Sequence, residues 1–349
     1  MCVNSATLYG LSVIALSGIL QGSVLSPMKY LRKWPFENIW LLVSTFAYLL
    51  LPLVFALATI PHLLSTYEHT STATLGRTLL FGLGWGLAVV TFGLGCELLG
   101  LAIGYAIILG LGACIGSLVP LIGQHRDQLW RRAGLGTIAG VALLIVGVIL
   151  FSIAGKKRDE LRRENEPGPT KSDARGGVKP TFVIGLIICI ACGVLSPLIN
   201  IAFAYAKEIQ DQAIFFGAAP ANSANAVWVL VANAGYLPSL CYCIFLLNRN
   251  KSWSRFSWKA EPYWFLTPLM GLMWISGTVL YGMGAIRMGQ LGPTIGWPVV
   301  MSMMVLTANC WGLLAGEWRG AGGTAVRLAT SGLVTIVVAM FVLGWSNSL

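Results

Sequence analysis

Ten apolar runs follow one another along this chain, at roughly 6–28, 36–60, 75–95, 98–122, 134–154, 180–205, 221–247, 263–286, 291–315 and 325–345, each near the length of about 20 residues that lets a helix cross a bilayer. No other feature narrows the fold as far. The chain has 349 residues, 56% hydrophobic and only 10% charged, with a mean hydropathy of +0.76. A soluble domain carries about 25% charged residues. No water-soluble core could hide this much apolar side chain, so the sequence predicts an all-α polytopic membrane protein with ten transmembrane helices. The third and fourth runs nearly merge.

A net charge of +10 would suit a nucleic-acid partner, but its distribution does not. The Lys and Arg residues cluster in short loops beside the apolar runs. Numbered in order, the odd loops hold 17 of the 23 and the even loops 6. Cytoplasmic loops carry the Lys/Arg excess, so the odd loops are expected inside and both termini outside. The fourth loop, with Arg126, Arg131 and Arg132, dissents. The first run has no basic residue before Lys29, and Lys29, Arg32 and Lys33 follow it. That is the wrong polarity for a cleaved signal peptide, so it reads as a retained first helix.

The tetrapeptide Val24-Leu25-Ser26-Pro27 returns as Val194-Leu195-Ser196-Pro197, an offset of 170. Gly82 to Trp85 is echoed by Gly271-Leu272-Met273-Trp274 at an offset of 189, which also pairs Phe92 with Tyr281, Gly93 with Gly282 and Gly95 with Gly284. Ile103-Gly104 matches Ile295-Gly296 at 192. The chain therefore divides into a first five-helix repeat (1–154), a charged cytoplasmic linker (155–179) and a second five-helix repeat (180–349). Five is odd, so the second half must enter the membrane from the opposite side, giving an inverted repeat. Such proteins commonly bind substrate near the midplane and alternate between two access states.

Polar and aromatic residues inside apolar runs are the candidate ligand contacts. Gln21 lies beside the small-residue stripe Gly18, Gly22 and Ser26, whose spacing lets helices approach closely. A Gln amide in hydrocarbon wants a partner, either another helix or a ligand. Trp85 sits among Gly82, Gly84 and Gly86, and an aromatic plane suits stacking on a sugar ring. Asn200 and Tyr205 add polarity to the sixth run, and Asn222, Asn225 and Asn233 to the seventh. Trp274, Gly277 and Tyr281 share one face. In the ninth run Gly296-Trp297-Pro298 reads as an interruption. Ser302 and Asn309 share a face there, while helical arithmetic points Trp297 elsewhere. The second run, mostly Leu, Val, Phe and Ala after Glu37, reads as a lipid-facing outer helix. Glu317-Trp318-Arg319 reads as an interface anchor.

Cys189/Cys192 and Cys241/Cys243 have ligand-like spacing but lie in apolar runs without His or Asp, and read as small packers. The three histidines, His62, His69 and His125, lie in or near loops. No metal, cofactor or Ser-His-Asp arrangement is expected. Residues 155–179, with eight Lys/Arg and five Asp/Glu, read as a flexible solvated segment whose basic excess suits anionic lipid.

The run Pro27 to Trp34, the Leu80-Phe81-Gly82 to Trp85-Gly86 segment, Gly271-Leu272-Met273-Trp274 and Glu317-Trp318 resemble the L-rhamnose–proton symporter family, within the drug/metabolite transporter superfamily. The resemblance spans nearly the whole chain in length, helix count and motif order. It implies a ten-helix inverted-repeat fold and uptake of a deoxysugar with a proton (or sodium) through the bacterial inner membrane. On that footing the substrate-binding set is Gln21, Trp85, Asn200, Trp274, Tyr281, Trp297 and Asn309. Of the thirteen acids Glu97 alone lies amid apolar sequence. Intramembrane acids are usually functional, which makes Glu97 the coupling candidate; its alternative is a short turn at the water interface. An uncoupled facilitator or exporter of the same fold, and a membrane-embedded enzyme or sensor, are the competing readings.

Overall fold

The computed structural model describes residues 5–31, 33–99, 101–165, 182–256, 261–316 and 318–346. Among these the structure is all-α, with no strand. Ten helices are long and apolar enough to cross a membrane: spans 1 (Ser5–Met28), 2 (Phe36–Thr59), 3 (Thr72–Leu99), 4 (Ile103–Gln124), 5 (Arg132–Arg158), 6 (Val183–Tyr205), 7 (Pro220–Asn250), 8 (Tyr263–Arg287), 9 (Gly292–Leu314) and 10 (Gly322–Ser346). This is a multi-pass membrane protein.

Span 1 packs on spans 8 and 9, and span 6 on spans 3 and 4. Span 3 packs on span 7, and span 8 on span 2; span 4 packs on span 5, and span 9 on span 10. Spans 2 and 7, 4 and 9, and 5 and 10 pack on each other. Each of these pairs is returned when first-half and second-half spans are exchanged. Small residues set the approach, as expected where lipid supplies no hydrophobic drive between helices. A Cβ on Gly86 would meet the Gly235 carbonyl, and one on Gly82 the Val231 backbone.

The contacts shift the register read from the tetrapeptide. A Cβ on Gly18 would meet Met303, and one on Gly193 would meet Leu111. The offset of 192 read from the sequence pairs Leu111 with Met303, and on that pairing Gly18 would answer Gly193 at an offset of 175 rather than 170. By that register Gln21 answers Ser196. The repeated Ser-Pro ends the helix at Ser23 near the end of span 1, with a 3-10 turn over Ser26–Tyr30, but breaks span 6 in mid-membrane between Leu195 and Leu198. A proline can break a helix at different depths, so the shared tetrapeptide marks two breaks and not two equivalent places.

Three other expectations change. Span 2 is only partly a lipid-facing helix: one side lies against spans 7 and 8, with Glu37, Asn38, Ser44 and Tyr48 buried, while Leu53, Val54 and Leu57 stay exposed. Glu37 Oε1 accepts hydrogen bonds from Asn250 Nδ2 (3.0 Å) and Ser252 Oγ (2.7 Å). A π-helical turn at Thr45–Leu50 bulges span 2 beside the site. Span 9 runs unbroken from Gly292 to Leu314 with Pro298 inside it. The helix of span 5 continues to Asn165, so 155–165 is helical and not flexible linker. The remainder of that linker, Pro180, Arg32, Glu317 and the Lys29 side chain lie outside the described residues.

Candidate functional site

Spans 1, 3, 4, 6, 7, 8 and 9 enclose a central cavity of about 150 Å³. Its walls include Gln21, Trp85, Phe92, Ser196, Trp228, Trp274, Thr278, Tyr281 and Trp297, with Ile108, Leu109, Ile199, Val300, Met301 and Met304. The structure thus brings Gln21, Trp85, Trp274, Tyr281 and Trp297 together. Asn200 and Asn309 are not among the lining residues.

Aromatic rings dominate the walls. Trp85 and Trp274 stack with centroids 5.3 Å apart and planes at 25°. Tyr48 meets both edge-on, at 5.0 and 4.8 Å. Trp228 stacks on Phe203 at 4.9 Å, and Tyr281 meets Trp297 edge-on at 6.0 Å. Faces and edges of this kind offer both an apolar platform and a ring of partial charge. The polar groups on the wall are few: the Gln21 amide, whose Nε2 donates to Ser17 Oγ at 3.2 Å, the Ser196, Thr278 and Tyr281 hydroxyls, and the indole N–H groups. Among the described residues no carboxylate or histidine lines the cavity.

Behind the cavity lies a hydrogen-bonded knot. Asn200 is fully buried. Its Oδ1 accepts from the Tyr281 hydroxyl, and its Nδ2 donates to the carbonyls of Gly116 (2.9 Å) and Pro293 (3.1 Å). Trp297 Nε1 donates to the Gly112 carbonyl at 3.0 Å, and Ser117 Oγ donates to the Thr294 carbonyl. The knot therefore ties spans 4, 6, 8 and 9. Beyond it opens a polar vestibule of about 660 Å³, walled by Gln124, His125, Asp127, Phe203, Lys207, Gln210, Asp211, Gln290 and Pro293 among others. Phe203 and Pro293 are common to the knot's surroundings and the vestibule wall.

At the opposite face, which carries the end of span 5, a crevice of about 230 Å³ lies between spans 4, 5 and 9. Tyr105, Phe151, Ser152, Arg158, Ala308 and Asn309 line it, and Leu109 is shared with the central cavity. Asn309 belongs here; its Nδ2 donates to Val305 of its own helix at 2.7 Å. Helical arithmetic was right that span 9 cannot turn Trp297, Ser302 and Asn309 to one cavity, and it is Trp297 that faces the central one.

Two acids lie in the spans among the described residues, Glu37 and Glu97. Both sit at the crevice face. Glu97 is exposed in the last turn of the span 3 helix and lines none of these cavities. Sequence reasoning missed Phe92, Ser196, Trp228 and Thr278, which line the cavity, and Tyr48, which packs edge-on against its stacked indoles. Tyr48 was legible as a lone phenol in an aliphatic run, and Ser196 as part of the repeated tetrapeptide. Trp228 gave no signal beyond its place between Asn225 and Asn233, whose amides tie span 7 to Thr59 Oγ1 and the Tyr48 carbonyl at 2.9 Å each. Cys189 and Cys192 are buried beside Ala88, Cys96 and Ile108.

A ten-span helical protein with an aromatic cavity between two half-sets of helices, a polar vestibule at one face and a crevice at the other has the architecture of a membrane transporter. Residues 3–348 match the family of the L-rhamnose-proton symport protein (RhaT), and the chain belongs to that family. It is 30% identical over 331 residues to an L-rhamnose-proton symporter of Cronobacter sakazakii, covering 91% of this chain and 92% of that protein. It is 28% identical, with the same coverage, to proteins of that name from Escherichia coli O17:K52:H18 and Klebsiella pneumoniae.

Proposed function

We propose that this protein carries L-rhamnose, or a closely related deoxysugar, across the bacterial inner membrane together with a proton. One observation carries the reading: a chain that belongs to the symport family along its whole length encloses a cavity with stacked indoles and sparse hydrogen-bonding groups. A deoxysugar has an apolar face and methyl group for Trp85 and Trp274, and hydroxyls for Gln21, Ser196 and Thr278. Asn200 acts through Tyr281, which it holds in place, and Asn309 belongs to the access route. The exchange of packing partners between halves supports the inverted repeat and hence alternating access. The Lys/Arg bias supports odd loops inside, both termini outside, and contact between the basic linker and anionic lipid.

Proton coupling is assigned to Glu97. Glu97 is exposed in the last turn of the span 3 helix, where a carboxyl is open to solvent. Uptake in energised vesicles, with and without a protonophore, tests the whole reading. L-rhamnose must accumulate, and collapse of the proton gradient must abolish accumulation. Glu97→Gln should keep sugar counterflow and lose accumulation. Undiminished accumulation by that variant would remove Glu97 from the coupling step.

A further inference from the structure

The two halves are unequally closed around the cavity. The offset of 192 pairs Tyr105 with Trp297, Gly116 with Ala308 and Ser117 with Asn309; the offset of 189 pairs Phe92 with Tyr281. The structure respects these pairings: Phe92 meets Tyr105 edge-on at 5.2 Å and 76°, as Tyr281 meets Trp297 at 6.0 Å and 73°. Their surroundings differ. Trp297 is packed shut: its indole lies where a Cβ on Gly116 would be, and its N–H is bonded to Gly112. Tyr105 faces the open crevice with Ala308 across it. Ser117 reaches across to span 9, whereas Asn309 bonds only within its own helix among the hydrogen bonds described.

We infer that Tyr281, Trp297 and Asn200 form a closed gate at the vestibule face, that Phe92 and Tyr105 form the matching open gate at the crevice face, and that transport closes one as it opens the other. The inference rests on the transport reading above. The sizes are complementary: the larger indole closes against a residue without Cβ, the smaller phenol against one with a single methyl. In the other state Tyr105 closes on Ala308, and Asn309 turns its amide from Val305 to span 4, as Ser117 now spans to Thr294. Tyr281 lines the cavity and belongs to the knot, so a ligand in the cavity touches the gate directly. The crevice-face gate has no counterpart of Asn200: by the register of 175 its place is Leu25. Release of the hydrogen-bonded gate is then the slower of the two openings.

The test is hydrogen exchange by mass spectrometry on the purified full chain without sugar, since helix amides exchange through local opening. In Gly116→Ala the new methyl displaces Trp297. Peptides of the vestibule wall (203–214 and 285–293) should exchange several-fold faster, and those of the crevice (105–109 and 151–158) several-fold slower. Tyr281→Phe removes only a hydroxyl, folds if Gly116→Ala does not, and should shift both faces in the same directions by less. Ala308→Phe fills the crevice; it should protect crevice peptides, leave the vestibule unchanged and stop uptake. Unchanged exchange in the first two variants, faster exchange at both faces together, or wild-type uptake by Ala308→Phe would overturn the gates. Wild-type L-rhamnose uptake tests the transport reading separately. Reciprocal exchange without uptake sinks the substrate and leaves the gates; uptake without reciprocal exchange does the reverse.

Discussion

Trp85 and Trp274 occupy the same place in two copies of one motif, and their indoles stack face to face at 5.3 Å. Both rings line the central cavity, so the stacked pair forms part of its wall. Under the inverted repeat proposed above, the axis relating the halves would pass close to this pair. Trp85 is 7% exposed and Trp274 half-buried.

Trp274→Phe should fold and weaken L-rhamnose binding by about tenfold, the equivalent of about 1.4 kcal/mol. Trp85→Phe leaves a void beside Tyr48 and should also cost on the order of 1–2 kcal/mol of stability. Thermal shift with and without sugar reads both, since a ligand that binds the folded state raises its apparent stability.

Asn200 and Asn309 looked equivalent as amides in apolar runs, but their deletions should differ sharply. Asn200→Ala takes the amide donor from the Gly116 carbonyl, whose own helix offers Pro120 in place of an N–H, and leaves the Tyr281 hydroxyl only its longer bond to the Pro293 carbonyl, at a cost of about 1–3 kcal/mol. Asn309→Ala loses a bond to its own helix and should stay within about 0.5 kcal/mol of wild type. Equal melting temperatures for the two variants would remove the knot from the account.

Glycines divide in the same way. A Cβ on Gly86 would meet the Gly235 backbone, so Gly86→Ala forces spans 3 and 7 apart and should cost about 1–3 kcal/mol. A Cβ on Gly93 meets nothing within 4 Å. Gly93→Ala should be neutral or stabilising by up to about 1 kcal/mol, through helix propensity. Melting curves of the two variants in the same detergent make the comparison.

Glu208, in the loop between spans 6 and 7, caps the start of span 3. Its carboxylate accepts hydrogen bonds from Thr74 Oγ1, the Ser71 N–H (2.7 Å) and Ser71 Oγ (2.7 Å). These bonds, the Thr74 one foremost, hold its pKa below the ordinary 4.5. A carboxyl depressed in the folded state stabilises fully above its unfolded pKa and loses that contribution as pH falls through the folded one. The melting temperature of wild type should therefore fall more steeply than that of Glu208→Gln once pH drops below about 4.5. Parallel curves through that window would show that the cap contributes nothing.

Much of the architecture was legible in the chain. Apolar length fixes a span whatever its neighbours, so all ten appear where the runs are. The two GLxW segments were legible as motifs, and both of their tryptophans reach the cavity wall. The tetrapeptide misled because Ser-Pro records only a local break in the backbone. Span 2 misled for a related reason: an aliphatic helix reads the same whether lipid or protein covers it, and only the buried Glu37, Asn38 and Tyr48 reveal which.

By itself, then, the sequence determined ten helices and the aromatic residues set among them, since these follow from hydropathy and spacing along one strand of chain. The tertiary structure decided which residues those halves turn toward one another. It faced Trp297 to the cavity, drew Asn200 into a knot with Tyr281 and sent Asn309 to the crevice. Helices in lipid associate through close packing and hydrogen bonds rather than polarity, so those choices rest on contacts between distant residues that no local pattern records.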